Sequence, residues 1–498
     1  MSRILDMNVR EESFIVKEDR RKAIAGGVEW RRRRFAFNVD DNEASNKRRP
    51  EAVCINEITI APGANASLSP ALAAQFPKLT KLSEIENAYW ATTFAKGALR
   101  ASGPTSRETR LYLNTSALLY GDSARVVLDA LQHGQKTDFR VLEDLEKLDA
   151  LDPQLVELSD EKFAAARYLP AFPLSRLIQN DSRIIAAINA GFFLNFPEEY
   201  DDGVSALHQP VGGHIIDGKM VSPPWLDRPG ILRTRAGHTL SRIFGPSDLE
   251  LLIDELPPVP LHKIGEGKAH GCVLRFFDDP NFTVPPDAVS LNFTGALLVS
   301  TTADIGSTPS PPRGGATVIL DGRHARAAIS PEAKISLRIR KEVTNEAEWM
   351  VSAGPFLVRN GKQIYAKDML EAPNAGEFRA GGPAPMRFPF DVEKTRAPRT
   401  AIGVTKDGAL KLVVIDGRNP GKHSCGVTLS GIAAAMQVLG CDSAINLDGG
   451  GSSVMAIAGL ENADRLRDDI APQIANIPSD DGGKERIVPV MITVRKNE

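Results

Sequence analysis

Short apolar runs bounded by proline and glycine turn signals are the feature that most constrains this fold. Between about residues 201 and 345, four Pro-Pro pairs separate runs of strand length such as 296–299 and 316–320. The chain has 41 Gly and 34 Pro, and only 6% of its residues are aromatic. Runs this short and this often interrupted form strands joined by turns. We therefore expect an α+β fold with mixed or antiparallel β-sheets and flanking helices.

The segment from 350 to 490 shows its elements most clearly. The apolar runs 399–404 and 410–415 flank Asp407-Gly408, which is a hairpin turn signal. A strand over about 352–359 is likewise followed by an Asn-Gly turn, and 443–447 and 454–457 are predicted strands. A helix over 429–439 is predicted from four apolar residues on one face, an N-cap and a terminating glycine. These residues are Leu429, Ile432, Met436 and Leu439, with Thr428 and Gly440.

The chain divides by composition into three segments. Residues 1–50 are basic and include four consecutive arginines at 31–34, and we expect them to form a poorly ordered extension. Residues 51–180 have mixed patterning of unknown role, with helical spacing at 124–132 and 140–148. Residues 181–498 form the expected catalytic-type domain, with a β-rich insertion at about 201–345.

Charge and apolar content exclude several classes of protein. The 60 Lys+Arg nearly balance the 63 Asp+Glu, which argues against a protein that coats nucleic acid or an anionic membrane. We interpret the four arginines as charged side chains that are exposed to solvent beside Trp30 and Phe35. No stretch of about 20 apolar residues predicts a transmembrane helix, and residues 1–34 lack the apolar core of a signal peptide. The default location is cytoplasmic, with unconventional export left open.

The four cysteines favour neither a metal knuckle nor a disulfide framework. They are scattered and form no CxxC pair. Cys425 and Cys441 flank the predicted helix and could pair in an oxidising compartment, but buried free thiols are the preferred interpretation. We expect no metal and no cofactor from the sequence.

A polar strand end followed by three glycines is the strongest candidate site. In the predicted strand over 443–447, Asn446 and Asp448 share one face and Ile445 and Leu447 the other. Three glycines permit positive φ and close approach of a ligand, and successive amide groups can form an anion-binding nest. The loop residues are Gly449, Gly450, Gly451, Ser452 and Ser453. A plain turn between strands was the alternative, which the attached Asn, Asp and Ser side chains disfavour.

Two further strand ends carry candidate groups. Asp416-Gly-Arg418 places a carboxylate and a guanidinium at one rim, and arginine suits bidentate phosphate recognition. A turn with a surface ion pair is the competing interpretation of that motif. Asn189, with Gly191 at another predicted strand end, is a weaker candidate.

These segments, taken in order, resemble the phosphodiester glycosidase family, which includes the uncovering enzyme N-acetylglucosamine-1-phosphodiester α-N-acetylglucosaminidase. The sequence Asn-Leu-Asp-Gly-Gly-Gly-Ser-Ser at 446–453 is similar to the hallmark of that family. The matching segments within about 180–495 are 189–193, 353–358, 399–403, 414–418, 426–429, 477–480 and 485–488.

The resemblance implies hydrolysis of a sugar-1-phosphodiester at the anomeric carbon, giving free sugar and a phosphomonoester. It implies Asp448 as the carboxylate at the anomeric centre, either nucleophile or base, and Asp416 as the second carboxylate. Arg418, Arg399 and the loop 449–453 would hold the phosphate. Asn446 and Asn189 would bind sugar hydroxyls or orient Asp448, and Arg486 would close the site or pair with a carboxylate.

Two other functions fit the same residues. One is a non-catalytic binding module for phosphorylated polysaccharide in envelope or exopolysaccharide assembly. The other is a metal-dependent phosphodiesterase with a divalent cation on Asp416, Asp448 and backbone carbonyls. In each case the partner is a sugar phosphate or a phosphorylated glycan, and no nucleic acid is expected.

Overall fold

The described part of the chain is mostly antiparallel β-sheet with a few helices. The computed structural model describes residues 15–41, 47–72, 110–113, 117–120, 174–194, 210–237, 239–263, 270–275, 284–303, 311, 315–344, 347–364, 395–419, 423–479, 483, 485–486 and 488–497. The helical segments predicted at 124–132 and 140–148 lie outside these residues. Within the described ranges, no helix combines the length and the apolar character needed to cross a membrane.

The strands are numbered in chain order. They are β1 Ile15–Ala25, β2 Val28–Asp41, β3 Lys47–Ile60, β4 Ala66–Leu72, β5 Arg110–Leu113, β6 Ala117–Tyr120, β7 Ile184–Asn189, β8 His214–Ile216, β9 Lys219–Ser222, β10 Arg228–Thr234, β11 Thr239–Phe244, β12 Leu249–Ile253, β13 Val259–Pro260, β14 His262–Lys263, β15 Cys272–Leu274, β16 Val289–Thr294, β17 Leu297–Ala303, β18 Gly315–Leu320, β19 Ile335–Ile339, β20 Ala347–Ser352, β21 Phe356–Arg359, β22 Lys362–Gln363, β23 Arg399–Thr405, β24 Leu410–Ile415, β25 Cys441–Asn446, β26 Met455–Ile457 and β27 Val490–Lys496. The helices are α1 Leu174–Asn180, α2 Gly322–Ala328, α3 Lys341–Thr344 and α4 Leu429–Val438, with 3₁₀ turns at Pro246–Asp248, Gly450–Ser452 and Asn462–Asp464.

An eight-stranded sheet joins the first three strands of the chain to strands between residues 356 and 446. Its strand order is β1-β2-β3-β24-β23-β25-β21-β22. Strand β3 pairs antiparallel with β24, with Ile55 opposite Ile415. The predicted hairpin of β23 and β24 is confirmed, with Arg399 opposite Ile415. The N-terminal strands therefore extend the same sheet that carries the candidate site residues.

A four-stranded sheet packs beside this central one, with order β26-β7-β27-β4. All six residues of β7 are buried, as its apolar sequence requires. Its last residue, Asn189, pairs with Met491 of β27. The end of β7 therefore lies next to the loop that follows β25.

The region from 201 to 345 is β-rich, as the sequence predicts. Strands β8 to β19 lie there, and several belong to sheets of their own, including one of five strands with order β14-β15-β18-β16-β17. Only β14 and β15 pair in parallel among the described strands. A separate apolar cluster that includes Phe244, Phe293 and Val318 forms the core of this region.

The N-terminal 50 residues are structured over most of their described length. Residues 15–41 and 47–50 form β1, β2 and the beginning of β3, so the expectation of a poorly ordered extension does not hold there. Strand β3 runs through residue 50 without a break. The domain boundaries inferred from composition stay predictions.

Helix α4 has the predicted beginning and end. The Thr428 hydroxyl accepts a hydrogen bond of 2.9 Å from the Gly431 amide, which is the N-cap geometry. Gly440 follows the helix with φ of +82°, a left-handed conformation that glycine adopts without strain. The helix packs on the central sheet through its buried face. All four cysteines, including those flanking the helix, are buried, and none forms a disulfide.

The arginine run forms ion pairs and one buried anchor. Arg31 pairs with Asp19 on the exposed face of β2. Arg32 is only 1% exposed and stacks over Trp30. Its guanidinium donates to the carbonyl oxygen of Asp464 at 2.7 Å and to that of Ala475. This side chain therefore attaches the N-terminal strands to the C-terminal loops.

Replacing the Arg32 guanidinium is expected to destabilise the protein much more than replacing that of its neighbour. Arg32→Met should reduce the free energy of unfolding by about 2–4 kcal/mol, because buried carbonyl oxygens lose their donor. Arg31→Ala should reduce it by less than about 1 kcal/mol, because its ion pair is solvent-exposed. Urea denaturation of both variants measures the difference, and equal losses would contradict the anchoring role of Arg32.

Candidate functional site

The loop after β25 is held between two other strands by main-chain hydrogen bonds. The amide of Asp448 donates to the carbonyl oxygen of Ala190 at 2.9 Å, just beyond β7. The amides of Leu447 and Gly450 donate to the carbonyl oxygens of Thr400 and Pro398, at 2.8 Å and 2.9 Å. The loop conformation is therefore fixed by the ends of β7 and β23, and the half-buried Asp448 lies where these segments meet.

Beneath this loop lies a chain of buried polar side chains, which we call the support network: Asp416, Asn476, Ser453, Thr400 and Asn189. Asn476 Nδ2 donates to Asp416 Oδ1 and to the carbonyl oxygen of Ser453, both at 3.0 Å. The Thr400 hydroxyl lies 3.1 Å from Ser453 Oγ and donates to Asn189 Oδ1 at 2.9 Å. Asn189 Nδ2 then donates to the carbonyl oxygen of Asp448 at 2.6 Å. All five members are buried, so each needs these partners.

The Asp416 carboxylate does not face an open cleft, contrary to the sequence-based expectation. The residue is 0% exposed. Its Oδ2 lies 2.6 Å from His423 Nε2 and accepts from the Ile477 amide at 3.3 Å. These contacts and Asn476 supply the hydrogen bonds that a buried carboxyl group needs. In this conformation the Asp416 carboxylate contacts His423, Asn476 and the Ile477 amide.

His423 lies nearer the protein surface than Asp416 does. It is 8% exposed, and its ring contacts the Asp416 carboxylate through Nε2. A carboxylate bonded to one ring nitrogen fixes the tautomer and the orientation of an imidazole. Asp416 and His423 therefore form an oriented carboxylate–imidazole pair.

Some amide groups of the glycine loop donate to carbonyl oxygens of the same loop. Fewer amides therefore face a possible anion than the sequence motif suggests. The amides of Ser452 and Ser453 donate to the carbonyl oxygens of Gly449 and Gly450, in a 3₁₀ turn. Within the described residues, no hydrogen bond engages the amides of Gly449 and Gly451. Gly450 has φ of +62°, which a residue with a side chain would adopt only with strain.

Two arginines lie against this loop and a third is buried elsewhere. A Cβ on Gly450 would lie 2.9 Å from Nη2 of Arg418, and that side chain is exposed. Arg486 Nη1 lies 3.4 Å from Ser452 Oγ. Arg399 is 2% exposed and donates to the carbonyl oxygens of Val427 and Thr395. The Arg399 guanidinium thus binds main-chain carbonyl oxygens, whereas the sequence predicts that it binds a phosphate.

The two asparagines are buried, at 0% and 2% exposure for Asn189 and Asn446. The Asn189 contact with the Asp448 carbonyl corresponds to the second of its expected roles, orienting Asp448. Asn446 Nδ2 donates to the carbonyl oxygens of Leu447 at 2.8 Å and Gly354 at 3.3 Å. Its Oδ1 is buried and has no hydrogen-bond partner among the described residues.

The structure thus brings most of the predicted residues together, and it adds two that sequence reasoning did not select as site residues. Asn189, Asp416 and the 449–453 loop are linked through Thr400 and Asn476. Thr400 lies within the segment 399–403, and Asn476 directly precedes the segment 477–480. A polar residue within or beside a family segment, in otherwise apolar surroundings, is the signal that would have found them.

His214, on the neighbouring strand β8, packs against the 189–193 segment. A Cβ on Gly191 would lie 2.7 Å from His214 Nε2. The imidazole is 0% exposed, and neither ring nitrogen makes a hydrogen bond of good geometry in the described part of the chain. Burial lowers the pKa of His214 to about 4, because the charged form loses its hydration, and the main chain of Gly212 offsets this only in part.

The comparisons with known proteins agree with these segments. Residues 301–495 match the model of the phosphodiester glycosidase family. This range contains Asp416, Arg418, Asp448 and the glycine loop, so the resemblance read from the sequence is confirmed over that part of the chain. A search of the curated proteins finds no match.

Comparison with solved structures finds matches of low sequence identity, and one of them reaches the TM-score of a shared fold. The Burkholderia pseudomallei K96243 protein BPSS2145 is 16% identical, with a TM-score of 0.50 and 98% of each chain covered. A Synechocystis protein is 16% identical with a TM-score of 0.45, and the match covers 94% of this chain but 62% of that one. A third match is the catalytic domain of zebrafish N-acetylglucosamine-1-phosphodiester α-N-acetylglucosaminidase, auto-inhibited by its pro-peptide. It is 13% identical with a TM-score of 0.38, and the match covers 99% of this chain and 92% of that one.

The buried His214 is expected to make stability depend on pH below neutrality. The unfolded chain titrates near the ordinary value of 6.5 and the folded chain near 4. Between these values the unfolded state binds more protons, so stability falls as pH falls from about 6.5 to 4. The contribution of this one group is about 3 kcal/mol.

Urea denaturation at several pH values in this window, for the wild type and His214→Gln, tests the effect. The variant should lose less stability than the wild type on acidification. Parallel pH dependences of the two proteins would show that His214 does not titrate with a lowered pKa.

Proposed function

From the phosphodiester glycosidase match over residues 301–495, we propose that this protein hydrolyses a sugar-1-phosphodiester at the anomeric carbon. The products are a free sugar and a phosphomonoester. The observation that supports this most strongly is the placement of two guanidinium groups, from Arg418 and Arg486, against the glycine–serine loop beside Asp448.

The chemistry suits this arrangement. A phosphomonoester leaves as a stable anion, so it needs charge neutralisation more than a strong general acid. In the proposal, Arg418, Arg486 and the amides of Gly449 and Gly451 bind the phosphate. Guanidinium groups suit this task because they pair with phosphate oxygens in a fixed geometry.

Asp448 is proposed as the carboxylate at the anomeric carbon. It lies directly before the phosphate-binding loop in sequence and is half-buried. Its main chain is fixed by Ala190 and Asn189, which suits a group that must hold one position relative to the sugar. Whether it attacks carbon directly or activates water determines the stereochemistry of the product.

Asp416, Arg399 and the two asparagines are assigned supporting roles in this proposal. Asp416 is a positioning residue that acts through His423 and Asn476. Arg399 holds the main chain at Thr395 and Val427 in place. Asn189 orients Asp448, and the Oδ1 of Asn446 is available to accept a bond from a sugar hydroxyl when the site adjusts.

The burial of Asp416 favours a binding module as the second candidate function. Most glycosidases use two carboxyl groups that both reach the substrate, and Asp416 does not reach the surface. The same arginines and amides would then hold a phosphorylated glycan without cleaving it. The proposal of a metal on Asp416 and Asp448 together has less support, because the potential ligands grouped with Asp416 are Cys54 and His423.

Substitution of Asp448 tests the catalytic assignment. Asp448→Asn should lower the rate of hydrolysis of a GlcNAc-1-phosphodiester by about 10²–10⁴-fold, because the amide can neither attack carbon nor accept a proton. Asp442→Asn is a matched control on the same strand, and it should keep the wild-type rate. Release of free sugar measures both.

A second outcome would contradict the assignment. If purified and folded Asp448→Asn hydrolyses the substrate at a near-normal rate, Asp448 is not the carboxylate at the anomeric centre. Circular dichroism of each variant establishes that a lost rate does not come from a lost fold.

A further inference from the structure

A thiol, a carboxylate and an imidazole meet inside the protein at the junction of β3 and β24. Cys54, Asp416 and His423 each offer one ligand atom, and these atoms lie within 4.8 Å of one another. We propose that Cys54 Sγ, the Asp416 carboxylate and His423 Nε2 form a binding site for one Zn²⁺ ion. The inference does not rest on the proposed function, because metal binding is measured without substrate.

Main-chain hydrogen bonds hold the three ligands in place before any ion arrives. The Asp416 amide donates to the carbonyl oxygen of Cys54 at 3.0 Å. The Ser424 hydroxyl donates to the carbonyl oxygen of Asp416 at 2.6 Å and accepts from the Cys54 amide at 3.2 Å. The Cys425 amide donates to the carbonyl oxygen of Ala52 at 2.8 Å. The loop that carries His423 is thereby fixed to the strand that carries Cys54.

The carboxylate also has the outer partners that metal ligands need. Asn476 Nδ2 and the Ile477 amide donate to the two oxygens of Asp416, at 3.0 Å and 3.3 Å. Such outer hydrogen bonds orient a ligating group and keep it charged. The Arg34 Nε donates to the carbonyl oxygen of His423 at 3.2 Å, which fixes the main chain of the imidazole ligand.

The chemical types of the three ligand atoms indicate which metal ion the site would bind. Mg²⁺ and Ca²⁺ prefer oxygen ligands only, whereas sulfur, imidazole nitrogen and carboxylate oxygen together suit Zn²⁺. A tetrahedral zinc ion spaces its ligand atoms about 3.3–3.6 Å apart. The His423–Asp416 contact is now 2.6 Å, so these two ligand atoms would separate by about 0.7 Å around the ion.

Binding requires a defined movement of protons. The Cys54 thiol loses its proton to solvent as the sulfur–zinc bond forms. The hydrogen bond between His423 Nε2 and Asp416 Oδ2 breaks, and the imidazole proton moves from Nε2 to Nδ1 so that the Nε2 lone pair binds zinc. Three protein ligands leave the fourth position to water, and the partial exposure of His423 gives a path from solvent.

The test uses the full-length protein, stripped of metal and then titrated with Zn²⁺ in a calorimeter. One ion should bind per chain, and the Cys54→Ala and His423→Ala variants should each lose at least about ten-fold in affinity, as removal of one ligand predicts. Two other histidines, His270 and His324, lie in ring contact outside this site, and His270 pairs with Asp321. The double variant His270→Ala, His324→Ala is therefore the matched control, and it should keep the full affinity.

Co²⁺ provides a readout that does not depend on the folding of a variant. The wild-type protein with one equivalent of Co²⁺ should show thiolate-to-metal charge-transfer absorption, which only a Cys–Co²⁺ bond produces. Absence of this band in the wild type, or unchanged zinc affinity in folded Cys54→Ala, overturns the proposal. Either result would mean that the three residues are only a hydrogen-bonded cluster.

Discussion

The buried support network under the glycine loop is the interaction on which the rest of the site depends. It connects Asp416, through Asn476 and Ser453, to Thr400 and Asn189, and ends at the main chain of Asp448. These residues come from five separate parts of the chain. Because a buried polar group without a partner destabilises the fold, each member restrains the position of the next. Segments distant in sequence thereby hold one loop in one conformation.

The N-terminal strands form part of this arrangement. Strand β3 pairs with β24, which ends directly before Asp416, and it contributes Cys54 beside His423. Arg32, on β2, binds carbonyl oxygens at Asp464 and Ala475, and Ala475 directly precedes Asn476 of the support network. The region that no family segment covers therefore supports the loops that the family match contains. The described parts of β2 and β3 thereby help to hold these loops in place.

Local signals in the sequence predicted local structure well. The Asp-Gly and Asn-Gly turns, the Thr428 cap and the Gly440 end all depend on residues close in sequence, and the structure has each of them. Burial could not be predicted in this way, since it depends on which distant strands cover a residue. Asp416 and Arg399 lie at strand ends, which the sequence alone predicts to be exposed to solvent. In the structure, β3 and the loops around 427 and 476 bury them. The support network was missed for the same reason, because Thr400 and Asn476 acquire their roles only through partners far along the chain.

In the proposed function, the loop, its two arginines and Asp448 cleave a sugar-1-phosphodiester. Proton NMR of the wild-type protein with a panel of sugar-1-phosphodiesters and nucleotide sugars is the sharpest test of this activity, because the anomeric signals report free sugar and its configuration. We expect free sugar and phosphomonoester to accumulate together from at least one phosphodiester. Tight binding of these compounds over days, without release of any sugar, would contradict it and identify the protein as a binding module.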